Sequence, residues 1–351
     1  MVSAPTAGVG RALAALVAVL LTGGVVPPAV HATLVYQSVT DPANPSIYVA
    51  ANDGTGAKLL THGVEPDLSP DGSKVAFFPK DTLSPTGGAV LKVSPTDAAS
   101  ERALLTDSVD AGAIHRLAWS PDSKSIATYT RDARDFTKIA LVVVSLVTGT
   151  RTAVATGKSY FTGMSFSPDG SQLAYATNMS NTYSSAIYRY DRTTQNTTRL
   201  TDDVDPRGPL WGPRAIVFSG TFMRGRPFQA ELLSVSPTSS RLTRVTTKRS
   251  AAVAGFEPTM LSDDGTRLLV GSGATVNPRT GAVRRLCRKP RFPRKPRFPC
   301  QGLALSHDGR AVLMLRNDLA GGGQPDIITM PYVGGPAQVI ARKASNADWD
   351  R

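Results

Sequence analysis

The sequence predicts an all-β fold, a seven-bladed β-propeller, on three observations. One short phrase recurs along the chain: an apolar residue, then Ser-Pro-Asp-Gly or a near copy, then a short apolar strand. Successive copies are 44 to 51 residues apart, which is the period of a four-stranded propeller blade. The chain also starts with strands that lack a first partner and ends with a lone first strand. The phrase begins at Ser69, Ser120, Ser167, Ser262 and Ser306, and degenerate copies occur at Trp211 (WGPRAIVF) and at Asp350 (ADWD).

The phrase predicts a hairpin turn. Serine can bond back to the backbone, proline sets φ at the second position, aspartate suits the third, and glycine tolerates the left-handed conformation with which the chain re-enters a strand. Apolar residues follow each turn, as with Val75 and Phe77 or Leu173 and Tyr175. They often alternate with small or polar residues, which is typical of a strand with two different faces.

All three tryptophans occupy the slot immediately before the serine of the phrase or its equivalent. They are Trp119, Trp211 and Trp349, and the other copies place Leu or Phe in that slot. A ligand-stacking aromatic residue has no reason to recur once per repeat. We therefore expect the tryptophans to pack between neighbouring blades.

The two ends of the chain are predicted to share one blade. Residues 34–36, 47–49 and 58–60 supply later strands without a first one, and the segment around Asp348 and Trp349 supplies a first strand without successors. Their pairing would remove the open edge of the ring. This gives seven blades; six is the competing count, because the unit between Gly273 and Leu286 has a weak third strand.

The phrases FSPDGSQLAYAT (166–177) and WSPDSKSIATYT (119–130), with the Leu-Thr endings at Leu200 and Leu60, resemble the TolB-type, WD-like propeller repeat. The resemblance covers residues 33–351. It implies a propeller that acts as a scaffold for protein contacts in the bacterial envelope. The same repeats also occur as gating domains of serine peptidases.

The N-terminus predicts a secretory signal peptide over residues 1–32. Arg11 is its only charge, Leu13–Leu21 is apolar, and Val30-His31-Ala32 fits a small-x-small cleavage site. We expect the mature chain to be a single propeller domain, 33–351, without a membrane span; a retained membrane anchor is the alternative. This places the protein in the periplasm, at the cell wall or outside the cell.

Positive charge is concentrated in one segment. The formal net charge is +12, and ten Lys or Arg with no Asp or Glu lie between Thr266 and His307. A tandem RKPRFP repeat at its centre is enclosed by Cys287 and Cys300, the only cysteines. In an exported chain they most simply form a disulfide. This basic loop, 287–300, is the candidate binding element, through Arg288, Lys289, Arg291, Phe292, Arg294, Lys295, Arg297 and Phe298; a merely solvated surface loop is the alternative.

Several long connections are predicted on the same face as the basic loop. In a propeller the Ser-Pro-Asp-Gly turns lie on one face, whereas connections between blades and between second and third strands lie on the other. Loop elaboration on one rim commonly carries function. We expect the second face to be the binding surface. Its long connections are 80–88, 131–136, 178–184, 220–228 and 317–325.

Catalytic motifs are absent from the sequence. It has no G-x-S-x-G, H-E-x-x-H, P-loop or dinucleotide fingerprint. His62 and His115 could approach the channel mouth but are better interpreted as loop residues, and His307 belongs to a turn. Asp202, Asp203 and Asp205 could bind a cation, although such a run more often forms a solvated turn. Two cysteines without nearby histidine do not complete a zinc site, and no cofactor or metal is expected.

The leading hypothesis is therefore an exported, non-catalytic, monomeric scaffold that binds an envelope or extracellular protein, or an acidic polymer. The alternative is an enzyme, a propeller lyase or glycoside hydrolase, working at the central channel. A third hypothesis is polyanion binding through the basic loop alone; export argues against nucleic acid as the target.

Overall fold

The phrase repeat produces seven four-stranded antiparallel blades in a ring, as seen in a computed structural model of the chain. The structure describes residues 33–80, 88–97, 101–110, 117–131, 138–157, 160–178, 185–222, 230–246, 257–287, 300–306, 308–317 and 324–349. No helix occurs in these ranges. The propeller lies within one unit of the chain, Ala32–Arg351.

Blade 1 joins the two ends of the described chain. Its order is β28-β1-β2-β3, with Leu34 opposite Trp349 and Val35 opposite Asp348. The predicted closure by N- and C-terminal strands is confirmed. The strands are β1 (Thr33–Ser38), β2 (Ser46–Ala51), β3 (Lys58–His62) and β28 (Ala344–Trp349).

Blades 2 and 3 form one continuous sheet. The last strand of blade 2, β7, runs past its own blade and pairs Val109 with Thr130 of β9, while the short β8 pairs with the rest of β9. Blade 2 consists of β4 (Val64–Leu68), β5 (Lys74–Phe78), β6 (Gly88–Pro95) and β7 (Arg102–Asp110). Blade 3 consists of β8 (Leu117–Trp119), β9 (Ser125–Arg131), β10 (Ile139–Ser145) and β11 (Arg151–Gly157).

The remaining blades are separate four-stranded sheets. Blade 4 consists of β12 (Tyr160–Phe166), β13 (Gln172–Asn178), β14 (Ala186–Asp191) and β15 (Thr197–Arg199). Blade 5 consists of β16 (Val204–Trp211), β17 (Ile216–Phe222), β18 (Glu231–Val235) and β19 (Leu242–Arg244). Blade 6 consists of β20 (Pro258–Leu261), β21 (Leu268–Val270), β22 (Ala274–Val276) and β23 (Val283–Arg285), and blade 7 of β24 (Cys300–Leu305), β25 (Ala311–Arg316), β26 (Asp326–Pro331) and β27 (Gln338–Ala341).

Blade 6 settles the blade count. Its third strand is only three residues long, but it pairs with strands on both sides. The six-blade alternative is therefore wrong.

The core lies between blades. Trp119 is 9 % exposed and packs with Phe78 of blade 2 and Val142 of blade 3. Trp349, 3 % exposed, packs with Leu313 of blade 7. Trp211 lies partly buried against the cluster that joins blades 4 and 5. The expected packing role of the tryptophans is confirmed.

The first strands are bulged, and they surround the axis. First strands of successive blades contact one another, as β12 does β16 and β28 does β4. In six of them the pairing register with the second strand shifts shortly before the turn, the mark of a β-bulge. Gly163 needs its lack of a side chain here, because a Cβ would stand 2.9 Å from the Cα of Gly208.

Candidate binding surfaces

The turn motifs form one rigid face, called here the turn face. In all five copies the serine Oγ donates a hydrogen bond of 2.6–2.7 Å to the aspartate two residues later. The same Oγ accepts from the backbone N–H five residues on, as from Lys74 at 2.9 Å. The predicted hairpin turns are confirmed. The pairs are Ser69–Asp71, Ser120–Asp122, Ser167–Asp169, Ser262–Asp264 and Ser306–Asp308.

These hydrogen bonds stabilise the charged form of each aspartate. Donation from Ser262, then from the backbone and side chain of Thr266, lowers the pKa of Asp264 to about 2. Burial raises the pKa of Asp71, but hydrogen bonds from Ser69 and Ser73 outweigh it and lower that pKa to about 2. The pKa values of Asp122, Asp169 and Asp308 are lowered too.

Neighbouring blades are also linked through side chains that follow the bulges. Asp348 Oδ2 accepts from the backbone N–H of Leu68 at 3.1 Å, and Ser165 Oγ accepts from that of Trp211 at 3.0 Å. Asp348 and Ser165 occupy the same position in the repeat. Each therefore connects the turn end of one first strand to the next blade.

A cavity of about 460 Å³ opens between these first strands and the turns of blades 2 to 6. Its walls are mostly apolar or proline. The lining residues that give it its character are Leu68, Pro70, Trp119, Pro121, Phe166, Pro168, Trp211, Pro213 and Leu261, with Asp67 and Asp263 as its carboxylates.

The two carboxylates of the cavity come from separate parts of the ring. Asp67 and Asp263 come from blades 2 and 6, which are not neighbours, and no histidine is among its lining residues. Across the part of the chain that the structure describes, no three His, Cys, Asp or Glu side chains gather as a metal site. Although most lining residues are apolar, polar atoms make up the larger part of the surface that faces the cavity.

The opposite face, called here the loop face, carries the disulfide. Cys287 and Cys300 are bonded, as predicted, with their Cα atoms 6.3 Å apart. Cys287 closely follows the outermost strand of blade 6, and buried Cys300 begins the innermost strand of blade 7. The disulfide thus joins the end of blade 6 directly to the beginning of blade 7. The predicted binding residues, 288–298, lie outside the described residues, as do most residues of the long connections on this face.

The sequence segment that contains the two cysteines is positively charged. Arg284 in β23 is exposed, and Arg285 follows it. The chain has no Asp or Glu from residue 266 to residue 307. In space, Cys300 lies opposite Arg316, which pairs with Asp326 at 2.9 Å, so a carboxylate is also close to the disulfide.

The acidic run before blade 5 separates into different environments. Asp202 is exposed and pairs with Arg199 at 3.1 Å, and Asp203 adopts a φ of 56°. Asp205 is half-buried in β16, and burial raises its pKa, with partial opposition from Arg207. The run does not converge on one cation site among the described residues.

His62 lies away from the channel. It ends β3, the outermost strand of blade 1, and its Nδ1 lies 3.2 Å from Ser46 Oγ. The loop interpretation of His62 is therefore wrong, because the residue belongs to β3 and pairs with Ser46 of β2. His115 and His307 fall outside the described residues.

The fold and its closure define the class: a seven-bladed β-propeller whose blade 1 combines strands from both ends of the described chain. No protein-family model matches the chain, and no curated protein matches it. Among solved structures, TolB from Acinetobacter baumannii matches with a TM-score of 0.54 and 19% identity over 87% of this chain and 79% of its own.

Two other propellers are similar. An oligogalacturonate lyase in complex with manganese has a TM-score of 0.60 at 16% identity, covering 82% of both chains. The propeller domain of the Trilobed protease from Pyrococcus furiosus has a TM-score of 0.60 at 12% identity, covering 86% of this chain and 88% of its own. That domain is described as having an open velcro topology, whereas β1 and β28 are paired here. At these identities the likeness establishes the fold alone.

No helix among the described residues has the length and apolar character needed to cross a membrane.

Proposed function

We propose that this protein is an exported, non-catalytic scaffold that binds an envelope or extracellular protein, or an acidic polymer, through its loop face. The basic loop, 287–300, is the recognition element. The observation that carries the proposal is the disulfide between Cys287 and Cys300, whose Cα atoms are 6.3 Å apart. Because the chain has already reached the next blade there, the twelve residues between the cysteines are not needed to connect blades.

The composition of that segment supports an anionic partner. Six of its twelve residues are Lys or Arg, and four are proline. Prolines stiffen an extended backbone, and clustered cations attract phosphates, carboxylates and acidic proteins. Phe292 and Phe298 add apolar contact area. The TolB-like fold supports the scaffold role by analogy.

Export is supported by two independent features. The disulfide is of a kind that persists in oxidising compartments. The N-terminal sequence, with its apolar run Leu13–Leu21 and the small-x-small site Val30-His31-Ala32, is typical of a secretory signal peptide. Periplasmic, wall-associated and secreted locations are all compatible with these features.

The test is affinity capture from an envelope extract with three forms of the mature protein. They are the wild type, a variant with Arg288, Lys289, Arg291, Arg294, Lys295 and Arg297 changed to Ser, and a control with six exposed cations of the turn-face side changed to Ser. The control positions are Lys58, Lys124, Arg214, Arg241, Arg279 and Arg310. A partner that the wild type and the control retain and the loop variant loses supports the proposal.

Recovery of the same partners by all three forms would overturn the role of the basic loop. A purified partner should also bind less tightly as salt concentration rises, because clustered charges are screened. Salt-independent binding would contradict recognition through the cations.

The alternative function is a lyase acting at the central channel. It is supported by the cavity of about 460 Å³ on the turn face, by its carboxylates Asp67 and Asp263, and by the similar fold of the oligogalacturonate lyase. The assay is release of unsaturated products from oligogalacturonate, with and without Mn²⁺. Activity that falls in Asp67→Asn and Asp263→Asn would replace the scaffold proposal with the enzyme.

A further inference from the structure

A second cavity lies on the turn face, away from the axis, where blade 3 meets the outer part of blade 2. Its volume is about 540 Å³. Small-molecule sites are typically clefts of ~300–1,000 Å³ with apolar walls and a few polar groups. The groove meets this description and is separate from the loop face.

The floor of the groove is apolar. Val93 is 7 % exposed and belongs to the core between blades 2 and 3. Leu104 and Leu146 pack against that core but are only partly buried. Pro95 completes the floor. The interface between the two blades is thus tightly packed near the axis and open at this outer end.

Two cations border the apolar floor. Arg102 sits opposite Val93 in the pairing of β6 with β7. Its Nη1 donates to the carbonyl oxygen of Leu146 at 3.1 Å, which holds the guanidinium across the boundary between the blades. Lys74 lies on the blade 2 side, where its Nζ donates to Ser73 Oγ at 2.8 Å and lies 3.7 Å from Asp71 Oδ2.

Successive side chains of β6 and β7 lie on opposite sides of blade 2, and this separates Arg102 from a second pair of charged residues, Lys92 and Glu101. Lys92 and Glu101 precede Val93 and Arg102 and lie on the opposite side of blade 2, where Glu101 accepts from both Lys92 and Thr61 of blade 1. Lys92 is therefore not a competitor for a ligand in the groove. Asp97 also lines the groove, so its rim carries two cations and one carboxylate.

We propose that this groove binds a small amphiphile with an apolar body and a single carboxylate. The apolar body covers Val93, Leu104 and Leu146, and the carboxylate lies between Arg102 and Lys74. Arginine suits this role because its planar fork presents several donors to a carboxylate. Lys74 is shared with Asp71, so the principal positive charge offered to the carboxylate is that of Arg102, which suits a monoanion.

The test is isothermal titration calorimetry of the mature protein with three probes. Decanoate has both the apolar chain and the carboxylate, butyrate lacks most of the chain, and decyltrimethylammonium carries the opposite charge. We expect decanoate to bind with a stoichiometry of one and to bind more tightly than either other probe. Equal binding of decanoate and decyltrimethylammonium, or no binding of decanoate, would overturn the proposal.

Two substitutions locate the site. Arg102→Gln is expected to weaken decanoate binding about tenfold, the size of one lost charge-assisted hydrogen bond, and Lys74→Gln is expected to weaken it less. Arg279→Gln, an exposed arginine on a hairpin of blade 6, is the matched control and should leave binding unchanged. Unchanged affinity in Arg102→Gln, with an unfolding curve like that of the wild type, would also refute the site.

Discussion

The carboxylate of Asp348 accepts a hydrogen bond from the backbone N–H of Leu68, 280 positions away in the sequence, at 3.1 Å. Asp348 belongs to the last strand of the described chain, and Leu68 ends the first strand of blade 2. Blade 1 is therefore locked in two ways, by strand pairing inside it and by this side chain to its neighbour.

Removal of that acceptor is expected to destabilise the ring. Asp348→Ala leaves the partly buried Leu68 N–H without this partner, at a cost of about 1–3 kcal/mol in the free energy of unfolding. Asp348→Asn keeps an acceptor oxygen and should recover much of the loss. Urea unfolding at neutral pH measures both. Asp202→Asn, which removes an exposed carboxylate, is the control and should have little effect; equal losses in Asp348→Ala and Asp202→Asn would contradict this role.

Trp349 is expected to contribute strongly to the free energy of unfolding. It is 3 % exposed and packs into the core of blades 1 and 7. Trp349→Ala should lower the free energy of unfolding by about 3–5 kcal/mol, the range for large-to-small core substitutions. The comparison is Leu59→Ala on β3, whose side chain is 49 % exposed. A small effect at Trp349 would mean that the closure contributes little to stability.

Acid should weaken the turn motifs. The pKa of Asp264 falls from an ordinary 3.8 to about 2 on folding. The folded state therefore binds this proton less readily than the unfolded state, and the stabilisation is present above pH 4 and is lost as the pH falls towards 2. Asp264→Asn should destabilise the protein at pH 7 but not near pH 2. Unfolding curves across this range test it, and a pH-independent difference between the two proteins would be the contrary result.

Asp205 is expected to change the stability with pH in the direction opposite to that of Asp264. Burial raises its pKa in the folded state. The folded state then holds the proton more tightly than the unfolded state, so stability falls as the pH rises through the interval between the two pKa values. Asp205→Asn is expected to stabilise the protein at pH 7 and to lose that advantage at acid pH. The same unfolding series checks this, with Asp264→Asn as the variant of opposite sign.

The disulfide should contribute measurably to stability. In the chain-entropy description a loop of this length is worth about 3 kcal/mol. The Cys287→Ser/Cys300→Ser variant should unfold at lower urea concentration, and a reductant should shift the wild type to the same midpoint without affecting the variant. A reductant effect on the double variant would show that something other than this bond is responsible.

Repetition made the architecture predictable from the sequence. Each Ser-Pro-Asp-Gly phrase predicts a hairpin turn, and the three tryptophans in the slot before the phrase or its equivalent predict contacts between blades. The spacing of the phrases then predicts the order of the blades and the closure of the ring. The bulges were not predictable, because an extra residue in a first strand changes register without a distinctive side chain: Thr162 and Thr259 occupy such positions as well as Gly208.

The sites were less accessible to sequence reasoning. The basic loop could be identified from its composition and its flanking cysteines, and its role in binding remains a proposal. The groove at Arg102 could not be identified from the sequence, because Val93, Leu146 and Lys74 are distant in sequence and meet only where two blades diverge. The extension of β7 onto β9 was also missed, since residues 102–110 carry no signal that distinguishes their strand from other fourth strands.

The pairing of β1 with β28 has a consequence for how the molecule can be made. A nascent polypeptide emerging from the ribosome exposes β1, β2 and β3 well before β28, which lies about 300 residues later in the chain. Until Trp349 arrives opposite Leu34, the edge of β1 stays open to any other strand. During that interval the unpaired edge is a template for strands of other chains, which is a route to aggregation.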